Sequence, residues 1–130
     1  MGASENVALH RKGHEAFARN DTEFLAELFA EDTLWHVAGT GPLAADYKGR
    51  DAVFAFFAKL ADLSEGTLQL HDDDLLGSET RSVALFRMTA TRGDKKLDAD
   101  CCEVVRWENG QVAEDWVFAF DQPTFDEFWS

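Results

Sequence analysis

The sequence predicts an α+β fold in which three N-terminal helices pack on a curved, mainly antiparallel sheet and a short helix closes the chain. In the first half of the chain, apolar residues recur at helical spacing. From about Thr67 onward they recur with the period of two that is typical of strands. Helices that precede a run of antiparallel strands indicate a layer of helices covered by one curved sheet.

The helical half is predicted to hold three helices and one short strand. The first helix runs from about Ser4 to Arg19, with Ser4 as its N-cap, and Asn20-Asp21 ends it. The second follows a cap at Asp21 or Thr22. The third, residues 52–63, is apolar over a wide arc and should be largely buried.

Strands alternate with turn sequences in the second half. After a first strand at residues 33–37 and a loop at 38–48, the predicted strands are 67–76, 82–92, 96–107 and 112–121. Gly93-Asp94 and Asn109-Gly110 mark hairpin turns between them. Residues 122–130 are predicted to form a short amphipathic helix.

Length and composition limit the classes of function. The 130 residues fit a single domain, residues 1–130, with 45% hydrophobic content to fill its core. A formal charge of −13 repels phosphate backbones and anionic lipid surfaces, so we expect neither nucleic acid nor membrane as a partner. The adjacent Cys101 and Cys102 point to opposite faces of a strand, and residues 1–6 lack the pattern of a signal peptide; a cytoplasmic location is expected.

Several local patterns occur in an order that is typical of one superfamily. They are Phe17 to Asp21, Trp35 to Gly39, Tyr47 to Val53, Val104 to Val112 and the tail from Asp121 to Trp129. Together they span nearly the whole chain, which resembles the SnoaL-like, ketosteroid isomerase-like superfamily. The resemblance implies the cone-shaped fold of nuclear transport factor two, built around one pocket. That superfamily includes isomerases, cyclases, hydrolases and binding proteins, so the fold does not name the function.

Most positions that match the catalytic residues of known enzymes in this superfamily carry other residue types in this chain. The resemblance places Gly13, Val37 and Glu103 where ketosteroid isomerases use a tyrosine, a carboxylate base and a protonated acid. SnoaL-type cyclases use a histidine and an aspartate, and the matching positions are Glu103 and Val117. An epoxide hydrolase would need an arginine where Cys101 stands. None of these three activities is therefore carried over.

The register of the last hairpin decides which side chains face the pocket. A two-residue turn at Asn109-Gly110 would place Glu103 opposite Trp116, and a three-residue loop would place it opposite Asp115. The resemblance favours the second register, in which Glu103 and Asp115 share the concave face. The other residues expected to line or bind in this apolar cavity are Phe17, Trp35, Val37, Tyr47, Phe54, Phe57, Phe86, Met88, Cys101, Val105, Val117, Ala119 and Asp121.

Three residues are candidates for catalysis. Glu103 among Phe and Met side chains should be desolvated, which favours its neutral form. A second carboxylate at Asp115 would separate the two titrations and supply one acid and one base. His71 on the second strand, residues 67–76, could face either way and is a further candidate for proton transfer. The alternative is that Glu103 is a wall residue bonded to arginine or water.

His10 and His14 have the i, i+4 spacing that metal sites use on helices. The motif lacks a glutamate after the first histidine, and the sequence shows no third ligand. We therefore expect two exposed or capping histidines, and neither a metal nor a cofactor.

Three functions stay open at this point. The chain is a cofactor-independent isomerase, cyclase or hydrolase-type enzyme acting on a small hydrophobic substrate, a non-catalytic binding protein for a small apolar ligand, or a dimeric interaction module. A homodimer is expected through the convex sheet face, because Trp116, Phe118 and Phe120 lie together on one side of the last strand. The alternative is that the C-terminal helix covers those aromatic residues.

Overall fold

The computed structural model describes residues 2–130 and has an α+β architecture of helices on one curved sheet. The helices are α1 (Ala3–Arg19), α2 (Thr22–Leu28), α3 (Arg50–Leu63) and α4 (Gln122–Trp129). The strands are β1 (Phe29–Val37), β2 (Ala45–Lys48), β3 (Gln69–Gly77), β4 (Arg81–Arg92), β5 (Lys95–Glu108) and β6 (Gln111–Ala119). The predicted fold class is confirmed.

The sheet is mainly antiparallel and has the strand order β2-β1-β6-β5-β4-β3. The first strand, β1, lies beside the last one, β6, and this is the one parallel pair among the strands of residues 2–130. The short β2 lies in the segment that the sequence predicted as loop. Its residues are exposed or half-buried, so they carry no apolar alternation from which a strand could be predicted.

Side-chain caps fix two of the helix starts. The Asp21 carboxylate accepts a hydrogen bond from Phe24 N at 3.2 Å, and Asp121 caps α4 through Thr124 N at 3.3 Å. The predicted N-cap of α1 is wrong by two residues: the cap is Gly2, the helix begins at Ala3, and Ser4 lies inside it.

The last hairpin has neither of the two predicted registers. Asn109 and Gly110 both have positive φ values, 53° and 75°, and form a two-residue turn with Glu108 opposite Gln111. Farther along, the register shifts between Arg106 and Trp107, which marks a β-bulge.

The bulge returns Glu103 and Asp115 to a shared face. Beyond it, Glu103 pairs with Val117 and Val105 pairs with Asp115. Because residues two apart on a strand point the same way, both carboxyl groups face the helices. The predicted face is therefore confirmed, although the predicted cross-strand partner of Glu103 is wrong.

The convex face of the sheet stays uncovered by α4. Phe125 of α4 reaches the cavity on the concave face, so the helix packs on that side. On the convex face, Trp116 stacks on His36 with ring centroids 5.5 Å apart, and Phe118 and Phe120 are 38% and 66% exposed. Within residues 2–130, no helix has both the length and the apolar character that crossing a membrane requires.

Candidate functional site

An apolar cavity lies between α1, α3 and the concave face of the sheet. Most of its wall consists of leucine, valine, methionine and aromatic side chains. Four titratable side chains interrupt this wall: His10, His14, Glu103 and Asp115. Such a cavity suits an apolar molecule that carries few polar groups.

Helix α1 and strand β5 bring three of these groups together. His10 and His14 are one helical turn apart on the face of α1 that covers the sheet. Gly13 lets this helix approach α2 closely, because a Cβ there would lie 3.0 Å from Leu28 Cδ2. Glu103, in the middle of β5, lies opposite the two imidazoles and is 6% exposed.

A hydrogen-bonded network joins these side chains. Glu103 Oε1 accepts hydrogen bonds from His10 Nε2 at 2.7 Å and from His14 Nε2 at 2.6 Å. The second nitrogen of His14, Nδ1, donates to Asp72 Oδ1 at 2.6 Å. Because carboxylates accept at both ring nitrogens, His14 carries two N–H groups and is an imidazolium.

His10 has a different second partner. Its Nδ1 lies 2.7 Å from Ser82 Oγ, and that hydroxyl accepts a hydrogen bond from Trp107 Nε1 at 2.8 Å. The hydroxyl proton is then free to be donated to His10 Nδ1, while His10 Nε2–H donates to Glu103. Ser82 is fully buried, so this branch of the network excludes water.

The charges of the network shift its pKa values. Burial alone would lower the pKa of His14, but the charge of Glu103 and hydrogen bonds to Asp72 and Glu103 outweigh it and raise this pKa to about 10. The pKa of Asp72 is lowered, since its bond to His14 outweighs burial. Burial would raise the pKa of Glu103, but the charge of His14 and the bonds from both histidines hold it well below its usual value. The expectation of a neutral Glu103 is therefore wrong, because its partners lay outside the predicted pocket.

Asp115 is the carboxyl group that is held neutral. It is fully buried beside Glu103. Burial raises its pKa well above the usual value, and the negative charge of Glu103 and a hydrogen bond to Glu103 add to this shift. The two carboxyl groups thus titrate apart, as the sequence predicted, with Glu103 charged and Asp115 protonated.

His71 does not reach the cavity. It lies on β3 next to Leu70, whose side chain lines the cavity, so the alternation of the strand turns the imidazole to the other face. Its Nε2 lies 3.0 Å from Thr89 Oγ1 on the neighbouring strand. The structure therefore contradicts its predicted position beside Glu103 and Asp115.

Most of the predicted wall residues do line the cavity, and five do not. The lining residues are Phe17, Trp35, Val37, Phe57, Phe86, Met88, Val105 and Val117. Tyr47 instead stacks on Phe56 with ring centroids 4.5 Å apart, and its hydroxyl donates to the Leu43 carbonyl at 2.7 Å. Phe54 packs against Phe29 on another side of α3, with centroids 5.9 Å apart.

The other three misplaced residues lie near α4. Cys101 and Ala119 are cross-strand partners in the core, on the two strands that α4 contacts. Burial raises the pKa of the Cys101 thiol to about 12. Asp121 is exposed and caps α4. Cys101 and Ala119 are buried in the core as expected, but they do not line the cavity.

The prediction of exposed or capping histidines on α1 is wrong for His10. His10 is 3% exposed rather than at the surface, and its partner Glu103 is 93 positions away in the chain. The i, i+4 spacing was the available signal. Among residues 2–130, His10, His14 and Glu103 also form the one group whose ligand atoms, within 4.8 Å of one another, could share a metal ion. Their 2.6–2.7 Å separations are hydrogen-bond lengths, so protons bridge them in this structure.

The chain belongs to the SnoaL-like domain family, whose profile matches residues 10–115. It is 30% identical over 131 residues to an uncharacterized protein of Mycobacterium tuberculosis, and the match covers 100% of both chains.

Solved structures share the fold. Bal32a, from a soil-derived mobile gene cassette, has a TM-score of 0.95 and 37% identity, covering 98% of each chain. TerC, co-crystallized with polyporic acid, has a TM-score of 0.83 and 17% identity over 96% of this chain and 98% of its own.

Proposed function

We propose that this protein is an enzyme that moves a proton on a small hydrophobic substrate without a cofactor. The observation that carries the proposal is the network of His10, Glu103 and His14, which lies in the wall of an otherwise apolar cavity. A charged group is costly in such surroundings unless it is paired, so a buried charged network is typical of a functional site.

The chemistry that fits this network is acid–base catalysis. Glu103 is the ionised group that accepts a proton from the substrate, and Asp115 is the neutral acid on the same face. His14 stays positively charged and holds the negative charge of Glu103 in place. A substrate with an acidic C–H next to a carbonyl matches these two roles.

Deuterium exchange tests this proposal without knowledge of the natural substrate. The probe is 2-tetralone in D₂O, followed by proton NMR at its α-carbon. We expect the wild-type protein to accelerate exchange and Glu103→Gln to lose about 100-fold or more of that acceleration. Glu15→Gln, on the exposed side of α1, is the matched control and should keep the wild-type rate. Equal rates for wild type and Glu103→Gln would refute the assigned role.

A non-catalytic binding protein is the second candidate. It is favoured by the internal satisfaction of the network, in which both imidazoles are bonded at both nitrogens. In that case apolar compounds raise the melting temperature of the protein while α-carbon exchange stays at the buffer rate. Exchange and stabilisation together favour the enzyme.

We also propose a homodimer through the convex face, in a cytoplasmic protein whose two cysteines stay reduced. The dimer is supported by the exposure of Phe118 and Phe120 beside Trp116, a patch that α4 leaves open. Sedimentation at micromolar concentration should give twice the monomer mass, and Phe118→Arg should halve it. A wild-type monomer under those conditions would refute the dimer.

A further inference from the structure

The hydrogen-bonded network in the cavity wall brings three metal-ligand atoms to one place. Glu103 Oε1 lies 2.7 Å from His10 Nε2 and 2.6 Å from His14 Nε2. Within residues 2–130, these three side chains form the one group of histidine, cysteine or acidic residues whose ligand atoms could share an ion. Two imidazoles one helical turn apart, with a carboxylate from elsewhere in the chain, are a ligand set that Zn²⁺ uses.

The far nitrogens of both imidazoles are held as metal-binding histidines require. A histidine that binds a metal through Nε2 usually donates its Nδ1–H to a carboxylate or another fixed acceptor. His14 Nδ1 lies 2.6 Å from Asp72 Oδ1, and His10 Nδ1 lies 2.7 Å from Ser82 Oγ. A hydroxyl oxygen has two lone pairs, so Ser82 can accept from His10. Both rings are therefore oriented by partners other than Glu103, with their Nε2 atoms directed at the same oxygen.

The convex face shows that a histidine beside two carboxylates does not by itself make such a site. His36 also contacts two carboxylates, but Asp46 lies at its Nδ1 and Glu114 lies at its Nε2. The two carboxylates are on opposite sides of the ring, so an ion bound at one ring nitrogen is out of reach of the carboxylate at the other. In the concave network, by contrast, the three ligand atoms converge.

We propose that His10 Nε2, His14 Nε2 and Glu103 Oε1 bind a Zn²⁺ ion, with a fourth coordination position open to the cavity. All three residues line the cavity, so a molecule there can complete the coordination. Bonds of about 2.0–2.2 Å to Zn²⁺ place tetrahedral ligand atoms about 3.3 Å apart. The two N···O distances must therefore lengthen by roughly 0.7 Å, which small side-chain rotations supply.

Zn²⁺ binding and proton abstraction exclude each other at Glu103. The ion takes the place of the N–H hydrogens that lie between the Nε2 atoms and Glu103. At His14 the displaced proton passes to solvent, while Nδ1–H still donates to Asp72. A carboxylate oxygen bound to Zn²⁺ no longer accepts a proton from a substrate. This blocking of the base rests on the proposed function, whereas the ion-binding site does not.

Calorimetric titration of the metal-free protein at pH 8 tests the site. We expect one Zn²⁺ per chain with micromolar affinity or tighter, and no comparable binding of Mg²⁺, which prefers oxygen ligands. His14→Gln removes one ligand and should weaken Zn²⁺ binding at least 100-fold. Asp72→Asn keeps all three ligands but removes the charge behind His14, and should weaken binding about tenfold. His36→Gln, on the convex face, is the control and should bind as the wild type does.

Two results of these titrations would overturn the site. The first is a wild-type protein that does not bind Zn²⁺. The second is an unchanged affinity in His14→Gln, because the ion would then lie on the acidic surface rather than in the cavity wall. Urea unfolding checks that each variant folds.

Visible spectroscopy with Co²⁺ reports the coordination directly and needs no variant, so it decides the outcome if a variant does not fold. In the wild type we expect the intense d–d bands of four- or five-coordinate Co²⁺, and a shift of these bands when azide enters the open position. Weak bands of hydrated, six-coordinate Co²⁺ would overturn the three-ligand site. Bands that azide leaves unchanged would contradict a position open to the cavity.

Exchange into 2-tetralone separates the ion site from the proposed enzyme. One equivalent of Zn²⁺ should reduce the wild-type exchange rate at least tenfold, and excess EDTA should restore it. Undiminished exchange in the Zn²⁺-loaded protein would overturn the blocking of Glu103. Zn²⁺ binding by a protein that catalyses no exchange supports the site and refutes the enzyme. Exchange by a protein that binds no Zn²⁺ refutes the site and supports the enzyme.

Discussion

Each face of the sheet carries one histidine hydrogen-bonded to two carboxylates, and the two histidines differ in burial. On the concave face, His14 bridges Asp72 and Glu103, and we call these three residues the inner bridge. On the convex face, His36 bridges Asp46 and Glu114, which form the outer bridge. The His14 side chain is 12% exposed, and the His36 side chain is 26% exposed. Because water screens the outer bridge, the same residue types form a surface ion pair there and a buried charged site inside.

We expect the largest difference in stability between variants of Glu103 and Glu114, the carboxylates that accept hydrogen bonds from the Nε2 atoms of His14 and His36. Glu103→Gln leaves a protonated His14 buried without its main counter-charge, and we expect a loss of about 3–5 kcal/mol in the free energy of unfolding. Glu114→Gln removes the matching partner of His36 and should cost less than about 1 kcal/mol. Urea unfolding at pH 7 measures both. Similar losses for the two variants would contradict the difference in depth.

The pH dependence of stability should follow the inner bridge. The pKa of His14 rises from 6.5 in its ordinary state to about 10 in the folded protein. A raised folded-state pKa gives stability that is complete below pH 6.5 and is lost as the pH rises through 10. The free energy of unfolding should therefore fall between pH 7 and pH 10.

His14→Gln is the control for this profile. It removes the titrating ring, so its stability should change much less over the same pH range. His36→Gln should keep most of the wild-type slope, because the outer bridge contributes less. A wild-type profile that is flat from pH 7 to pH 10 would contradict the charged state of His14.

The hydrogen bonds that Ser82 makes with His10 and Trp107 should contribute an intermediate amount to the free energy of unfolding. Ser82→Ala removes the hydroxyl that links Trp107 Nε1 to His10 Nδ1, and leaves both buried nitrogens without partners. We expect a loss of about 1–3 kcal/mol in thermal or urea unfolding. No loss would show that water takes the place of the hydroxyl.

Variants of Asp72 and Asp46, the carboxylates bonded to the Nδ1 atoms of the two histidines, should lose the least stability. Asp72→Asn removes the negative charge beside His14 Nδ1, on a side chain that is 23% exposed, and should cost about 1 kcal/mol. Asp46 is 63% exposed, so Asp46→Asn should cost less than about 0.5 kcal/mol. A larger loss for Asp46→Asn than for Asp72→Asn would reverse the comparison between the faces.

Local patterns were sufficient to predict the fold and one face of the site. The family resemblance favoured the hairpin register that puts Glu103 and Asp115 on the same side, and it placed Trp35 in the wall. The period of the strands, which the sequence shows directly, extended this choice to the other residues of β5 and β6. The β-bulge near Arg106 has no comparable signal, so the cross-strand partner of Glu103 could not be predicted.

The charge state of the site depends on contacts between distant parts of the chain. His14 meets Asp72 and Glu103 across 58 and 89 positions, and no local pattern encodes either meeting. Without these partners, burial predicts a neutral Glu103; with them, Glu103 is charged. The same reasoning applies to His71, whose face depends on the register of β3 against β4.

The protonation state of His14 tests the charged network most directly. A pH titration of the His14 ring nitrogens by ¹H–¹⁵N NMR, assigned with His14→Gln, follows this single side chain. We predict that both nitrogens stay protonated at pH 8, because the pKa of His14 is raised to about 10. A His14 ring that loses a proton near pH 6.5, its ordinary value, would contradict the paired charges on which the proposed proton transfer depends.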